Sequence, residues 1–262
     1  MNFAEGVLEQ LLSNAPERRF PERRFPERRF PELPGLFDYD LAVIKAGGAD
    51  CPVGFAGDTD DMRGSDGFMV VGIDEAGRGP LAGDVYAAAV AFPSYDGLAE
   101  ALPLLNDSKK MSEAARERLV PLIKSHSVWA VGVATVAEID EHNILRATFL
   151  AMNRAYAALP LDNQVKAPHC ILIDGNRRPD MATAAGVTVM TVVKGDGRSA
   201  AIAAASVIAK TERDAYMLRL AEQYPQYRFD KHKGYGTKLH YEMIAKYGIT
   251  PVHRRTFLRT GS

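Results

Sequence analysis

Three short runs rich in Val and small apolar residues follow one another before helix and strand begin to alternate: Met69–Glu75, Asp84–Phe92 and Ser127–Ala134. Such residues fit a pleated, half-buried surface, so each run reads as a strand. Between the second and third, Ser112 stands where an N-cap would open a helix through Lys124. Alternation comes next. Asn143–Ala158 carries apolar residues at helical spacing, CILIDG at Cys170–Gly175 is a short buried strand, and VTVMTVV at Val187–Val193 is another. The alanine-rich run Ser199–Tyr224 is a long helix that stops before Pro225. Strands first and alternation afterwards restrict the chain to an α/β fold, a mixed sheet covered by helices.

The 262 residues are 47% hydrophobic, enough to bury a substantial core in one large domain or two small ones. The N-terminal quarter reads differently. PERRF occurs three times in tandem at Pro16–Phe30, followed by a truncated copy, Pro31-Glu32. A proline every fifth residue removes helix donors, and the period is too short for a stacked repeat. This stretch is expected to be disordered, either as a low-complexity expansion or as a weak basic arm for nucleic acid. Gly47–Gly67, rich in Gly and Asp, reads as a flexible linker. Residues 1–67 are therefore expected to form a largely disordered extension, with the folded domain spanning residues 68–262.

No apolar run approaches the roughly 20 residues of a membrane helix, and the first residues lack the basic start and apolar centre of a signal peptide. Cys51 and Cys170 are too few for a disulfide framework and are not spaced as a zinc pair, which points to reduced thiols and a cytoplasmic address. The net charge of −1 hides an asymmetry. From Lys194 onward there are 13 Lys and Arg against 6 Asp and Glu, a balance of +7, which leaves −8 for residues 1–193. That basic third suits nucleic acid, although a solvated basic face has the same composition.

Acids stand at the ends of three strands: Asp74 and Glu75 after the first, Asp174 in CILIDG, and Asp196 just past VTVMTVVKG. Strand ends in an α/β domain lie at the sheet rim, where loops build sites. If these strands are neighbours, four carboxylates converge and repel one another unless a cation joins them; all-oxygen ligands select Mg²⁺ or Mn²⁺ over zinc. Two such ions close together suit in-line displacement at phosphorus, hence phosphodiester hydrolysis. Each acid also has a plainer use, since an Asp after a strand serves as a turn former or helix cap, and Asp174 before Gly175 suits a turn. Successive strand residues face opposite sides. Asp74 and Glu75 can therefore share a metal only if the strand ends or bulges there, which the following glycines permit.

Six segments occur in order from about Val70 to Phe257: GIDEAGRGPLAG, NDSKKMS, LIDGNR, VVKGD, AAASVIAK and HKGYGT. Together they resemble the bacterial ribonuclease HII family. The resemblance implies a ribonuclease H fold, α/β with a mixed sheet flanked by helices and a helical C-terminal extension. It implies an endonuclease that nicks a DNA duplex on the 5′ side of an embedded ribonucleotide, or cuts the RNA strand of an RNA/DNA hybrid, using Mg²⁺ or Mn²⁺. By the same resemblance the catalytic, metal-binding acids are Asp74, Glu75, Asp174 and Asp196. The turn Gly77-Arg78-Gly79 would bring its backbone to the ribose 2′-hydroxyl, and Tyr235 would stack on a sugar or base. Lys109, Ser206 and Lys210 match positions near the backbone phosphates. The implied partners are RNA/DNA hybrid and ribonucleotide-containing duplex DNA, with no membrane, and a monomeric protein is expected.

Some positions depart from the pattern. Asp84 stands where the family commonly has proline, adding a negative charge without an evident partner. Asp214, in TERDAY, is expected to form a salt bridge rather than bind metal, and His253, Arg254 and Arg255 are expected to grip the duplex. Two other readings compete. Gly77, Gly79 and Ala82 fit the G-x-G-x-x-A fingerprint of a dinucleotide-binding oxidoreductase, but that fingerprint opens a helix, whereas DVYAAAVAF reads as a strand. A non-catalytic nucleic-acid-binding protein would use the basic C-terminal third alone and leave four acids as an unexplained electrostatic cost.

Overall fold

A computed structural model describes residues 35–45, 69–105, 111–161, 168, 170–183 and 185–258. The PERRF repeats and the Gly/Asp-rich linker lie outside these residues. In chain order the described helices are α1 (Leu36–Lys45), α2 (Leu98–Ala101), α3 (Glu113–His126), α4 (Val136–His142), α5 (Ile144–Ala157), α6 (Ala200–Gln223), α7 (Phe229–His232) and α8 (Lys238–Tyr247). The strands are β1 (Val70–Ala76), β2 (Val85–Ala91), β3 (Val128–Ala134), β4 (Cys170–Asp174) and β5 (Thr188–Val192), in the sheet order β3-β2-β1-β4-β5. The first three pair antiparallel; β4 and β5 join β1 in parallel. The sheet is mixed, as the order of elements in the sequence predicts.

Helix starts follow local chemistry. The side chains of Ser112, Asn143 and Ser199 accept from backbone N–H groups in the first turns of α3, α5 and α6, satisfying donors that have no partner within the helix. The sheet is buried on both faces by strand alternation. Val70, Ala88, Val90 and Leu172 pack under α6, while Val71, Ile73, Ala89 and Ile173 pack under α5. Small residues bring these helices close: a Cβ on Gly72 would stand 2.2 Å from the Ala201 carbonyl carbon, so α6 lies directly on β1.

Leu36–Lys45 falls inside the stretch read as a largely disordered extension, yet it is a helix whose Tyr39, Val43 and Ile44 join the core beneath α6. At the other end of α6, Met217 and Leu220 gather Tyr227, Phe229, Tyr241 and Ile244 into a separate apolar cluster, giving the expected helical C-terminal region. No helix among the described residues is long and apolar enough to cross a membrane.

Candidate active site

β1 and β4 are parallel neighbours with Ile73 opposite Ile173, so the next residues, Asp74 and Asp174, emerge side by side. After β5 the turn Gly195–Gly197 carries Asp196 back to them, and carboxylate oxygens of all three acids lie within 4.8 Å of one another. The Gly195 N–H fixes this turn by donating to Asp174 Oδ1 at 2.7 Å. Asp74 is only 2% exposed. Its Oδ1 accepts from the Glu75 N–H at 2.7 Å, the Ser206 hydroxyl donates to the same carboxylate, and Oδ2 is buried with no hydrogen-bond partner among the described residues. Burial first, then the charges of Glu75 and Asp174, push Asp74 well above the usual carboxylate range. An orphaned buried oxygen within an all-oxygen set is what a hard divalent cation satisfies, so these residues fit Mg²⁺ or Mn²⁺.

Glu75 stands apart from that set. β1 neither ends nor bulges at the acid pair but runs on to Ala76, with Glu75 opposite Ala87. Strand alternation turns Glu75 to the other face, where its Oε1 accepts from Arg78 Nη1 at 3.1 Å. There it lines a cleft of about 260 Å³ together with Arg78, Phe149, Met152, Asp174 and Arg177.

Beside the acids, two buried guanidinium groups hold the glycine turn from beneath. Arg254 donates to the carbonyls of Gly77 (2.6 Å), Arg78 (2.9 Å) and Gly83 (2.7 and 2.9 Å). Arg213 donates to Ala82 (3.2 Å), Asp84 (3.2 Å) and Lys233 (3.1 Å). With the Leu81 N–H donating to the Gly234 carbonyl at 2.8 Å, the turn and the GYGT loop become one body. Gly77 has φ +94°, and a Cβ there would stand 1.9 Å from Arg213 Nε; only glycine fits. Gly79 faces Tyr235, which is 44% exposed. Burial, then the neighbouring Arg213, pushes Arg254 down to about 9, so it is still a cation at neutral pH. Bare backbone and an open aromatic ring beside an acid cluster can hold a sugar next to a phosphodiester.

A family model described as Ribonuclease HII matches residues 71–260. The chain belongs to the ribonuclease HII family. Ribonuclease HII of Neisseria meningitidis serogroup B is 51% identical over 192 residues, covering 72% of this chain and 92% of that protein. The Dechloromonas aromatica enzyme of the same name is 53% identical over 190 residues, covering 72% and 90%. Among solved structures, the PCNA:RNase HII complex from Archaeoglobus fulgidus matches with TM-score 0.56 and 28% identity, covering 71% of this chain and 94% of that one. Ribonuclease H2 from Pyrococcus horikoshii OT3 matches with TM-score 0.56 and 26% identity, covering 72% and 93%. Family and fold agree with the resemblance read from the six segments.

Within this ribonuclease HII fold the remaining sequence candidates fall in different places. Ser206 is 4% exposed and holds Asp74 from α6. Lys210 donates to Asp214, which Arg116 also approaches at 3.5 Å, so Asp214 is salt-bridged as expected. Lys109 lies outside the described residues. Three expectations need correction. Asp84 has partners: its Oδ1 accepts from the Val136 N–H at 2.9 Å, the Tyr216 hydroxyl donates to it, and Arg254 and Arg213 stand nearby. His253 and Arg254 do not reach outward to grip a duplex, because both are buried, at 1% and 0% exposure, and serve the fold. The β1 strand does not break at Asp74 and Glu75. Nothing local in the sequence marks Arg213, because an arginine within a charged helical segment carries no sign of burial.

The GYGT loop rests on three buried histidines whose partners fix their tautomers. His240 Nδ1 donates to the Tyr235 carbonyl (3.0 Å), so its Nε2 accepts from His253 Nε2 (3.2 Å), and His253 Nδ1 accepts from the Thr250 N–H (3.0 Å). His232 donates through Nε2 to the Tyr227 carbonyl and accepts at Nδ1 from the Gly234 N–H. All three are neutral. Burial pushes His240 down to about 3 and His253 to about 4. The unfolded chain, with histidines near 6.5, therefore binds more protons, and stability present above that value is lost as pH falls toward 4, by up to about 1.4 kcal/mol per unit for each histidine. Asp40 and Asp74, both raised by burial, respond to acid in the opposite sense, so the check is a difference between proteins: from pH 7.5 to 5.0 the guanidinium midpoint of His253→Asn should change less unfavourably than that of wild type. An equal change in both proteins would remove His253 from the acid response.

Proposed function

We propose that this chain is an endoribonuclease that hydrolyses the phosphodiester on the 5′ side of ribonucleotides, at single ribonucleotides embedded in duplex DNA and in RNA/DNA hybrids, thereby removing RNA primers or misincorporated ribonucleotides. One observation carries the reading: Asp74, Asp174 and Asp196 converge within 4.8 Å beside a glycine turn and an open tyrosine ring. These three acids would hold Mg²⁺ or Mn²⁺, with Glu75 lining an adjoining cleft that Asp174 also borders. A pair of such ions, when bound, supplies activation of the attacking water and stabilisation of the leaving oxygen.

The chain's own groups do the rest. Ser206 and the Glu75 N–H hold the Asp74 carboxylate in one orientation, which keeps its free oxygen aimed at the other acids. At Gly77 and Gly79 no side chain stands between backbone and bound sugar, so the 2′-hydroxyl is read where a deoxyribose offers nothing. Tyr235 stacks against the sugar or base at the junction, and Arg78, half exposed and paired with Glu75, faces a phosphate. Water attacks phosphorus and the 3′-oxygen leaves, giving 3′-hydroxyl and 5′-phosphate ends. The 2′-hydroxyl is a recognition mark and not the nucleophile. The reading takes the protein to act as a monomer.

The experiment compares a labelled duplex containing one ribonucleotide with an all-DNA duplex of the same sequence, each with protein and Mn²⁺. Only the first should be nicked, on the 5′ side of the ribonucleotide. Equal cutting of both would refute sugar reading, a cyclic-phosphate end would refute water as nucleophile, and binding without cutting would favour a non-catalytic nucleic-acid-binding protein.

A further inference from the structure

Helix α1 lies outside the stretch matched by the family model, yet it packs against β1 and the first turn of α6, the helix that follows the turn carrying Asp196. Its Asp40 is fully buried. Asp40 Oδ2 accepts from the Ala201 N–H at 2.8 Å and from the Tyr95 hydroxyl at 3.0 Å, and the Ser199 hydroxyl donates to the same carboxylate. Ala201 is the second residue of α6 and Ser199 its N-cap, whose Oγ also accepts from the Ile202 N–H. Asp40 thus supplies, from another part of the chain, an anion to the helix end where backbone donors are unpartnered and the dipole favours negative charge. Burial pushes Asp40 up to about 6, which leaves it ionised at pH 7.5.

The same Ser199 closes the turn that carries Asp196. The N–H groups of Ser199 and Arg198 both donate to the Gly195 carbonyl at 2.9 Å, and the Arg198 guanidinium lies 5.7 Å from the Tyr39 ring centre of α1. One end of the turn is therefore tied to Asp174 through the Gly195 N–H, and the other end to α1.

We infer that α1 is a positioning element for the acid cluster: Asp40, acting through Ser199 and the first turn of α6, sets where the Asp196 carboxylate stands relative to Asp74 and Asp174, and so sets the cluster's affinity for divalent metal. This role rests on the reading of those acids as the metal site. Asp40 touches neither metal nor substrate, and is a positioning residue.

The test uses the full chain and measures Mn²⁺ binding by calorimetry without nucleic acid, the Mn²⁺ dependence of nicking, and the thermal midpoint. Asp40→Ala should weaken Mn²⁺ binding by about tenfold, the low end for partners of ligand-bearing groups. The Mn²⁺ needed for half-maximal nicking should move by the same factor, while kcat at saturating Mn²⁺ stays within about twofold. Asp40→Asn, whose amide oxygen still accepts from the Ala201 N–H, should recover most of the affinity. Ser199→Ala cuts the same link from the other side, should weaken binding similarly, and decides the matter if Asp40→Ala does not fold. Val43→Ala, a buried residue of α1 away from the turn, should lower the midpoint and leave Mn²⁺ affinity unchanged. The inference is overturned if Asp40→Ala and Ser199→Ala bind Mn²⁺ as wild type does, or if Val43→Ala weakens binding as much as they do. Wild type that neither binds Mn²⁺ nor cuts removes the metal-site reading itself; wild type that does both while Asp40→Ala matches it removes only the role of α1.

Discussion

Asp74→Asn is expected to raise the thermal midpoint of the metal-free protein while lowering cleavage of a ribonucleotide-containing duplex by about 10³-fold or more, a loss of roughly 4 kcal/mol of transition-state stabilisation. Both effects have one cause. Asp74 is nearly inaccessible, has one unpartnered oxygen, and shares a site with two other carboxylates whose oxygens lie within 4.8 Å. Without a cation, an ionised group there is destabilising through lost hydration and repulsion. Asparagine keeps an oxygen for the Ser206 hydroxyl and the Glu75 N–H, and turns the unpartnered oxygen into a donor that Asp174 can accept. The gain in stability comes with the loss of a negative ligand. Mn²⁺ should accordingly raise the wild-type midpoint, with a stabilisation of about 2.7 kcal/mol at a hundred times its dissociation constant, and barely move the variant. Thermal melts with and without Mn²⁺, run beside a nicking assay, check both halves. A variant that cuts normally, or that gains as much from Mn²⁺ as wild type, would take Asp74 out of the metal site.

Much of this arrangement is legible in the sequence because its causes are local. Ser112 and Ser199 announce helix starts through short side-chain contacts with the next turn, and the Val- and Ala-rich runs show which segments lie between two covering layers. The acids are legible because a carboxylate at the end of an apolar strand is costly unless something answers it. What cannot be read locally is what crosses the chain. Asp84 looks unpartnered until α4 presents the Val136 N–H, 52 residues away. Arg254 looks like a surface cation in HRR, yet its partners are carbonyls more than 170 residues earlier. The orientation of Glu75 lies between these cases. Alternation already sends it to the opposite face from Asp74, and the glycines that follow do not break the strand but let Arg213 and Arg254 approach the backbone. Helix α1 was hidden for a different reason: it follows a proline-rich repeat, and its stability comes from burial against α6 and not from its own ten residues.

Gly77→Ala and Gly79→Ala are expected to fail in opposite ways, although one residue separates them. At position 77 a methyl group would lie 1.9 Å from Arg213 Nε and 2.3 Å from its Cδ, on a backbone with φ +94°. The backbone alone costs about 1–2 kcal/mol. Moving Arg213, which is 1% exposed, strips donors from the carbonyls of Ala82, Asp84 and Lys233, at about 1–3 kcal/mol for each group left buried without a partner. A loss of at least about 3 kcal/mol should lower the thermal midpoint by roughly 10 °C in a chain of this size. Activity would fall as the turn and the GYGT loop separate. At position 79 the backbone is not in the left-handed region and the nearest heavy atom to a new Cβ is Tyr235 Cε1 at 3.7 Å, an ordinary contact. Stability should stay within about 0.5 kcal/mol of wild type. The methyl group would nonetheless stand between the backbone and the sugar it reads, and a displacement of the substrate by about 1 Å is enough to reduce nicking by about 10²-fold. Melting curves and nicking rates on the two variants separate these outcomes. If Gly79→Ala cuts as wild type does, the backbone there does not approach the ribose; if Gly77→Ala melts as wild type does, Arg213 is not the clamp that joins the two loops.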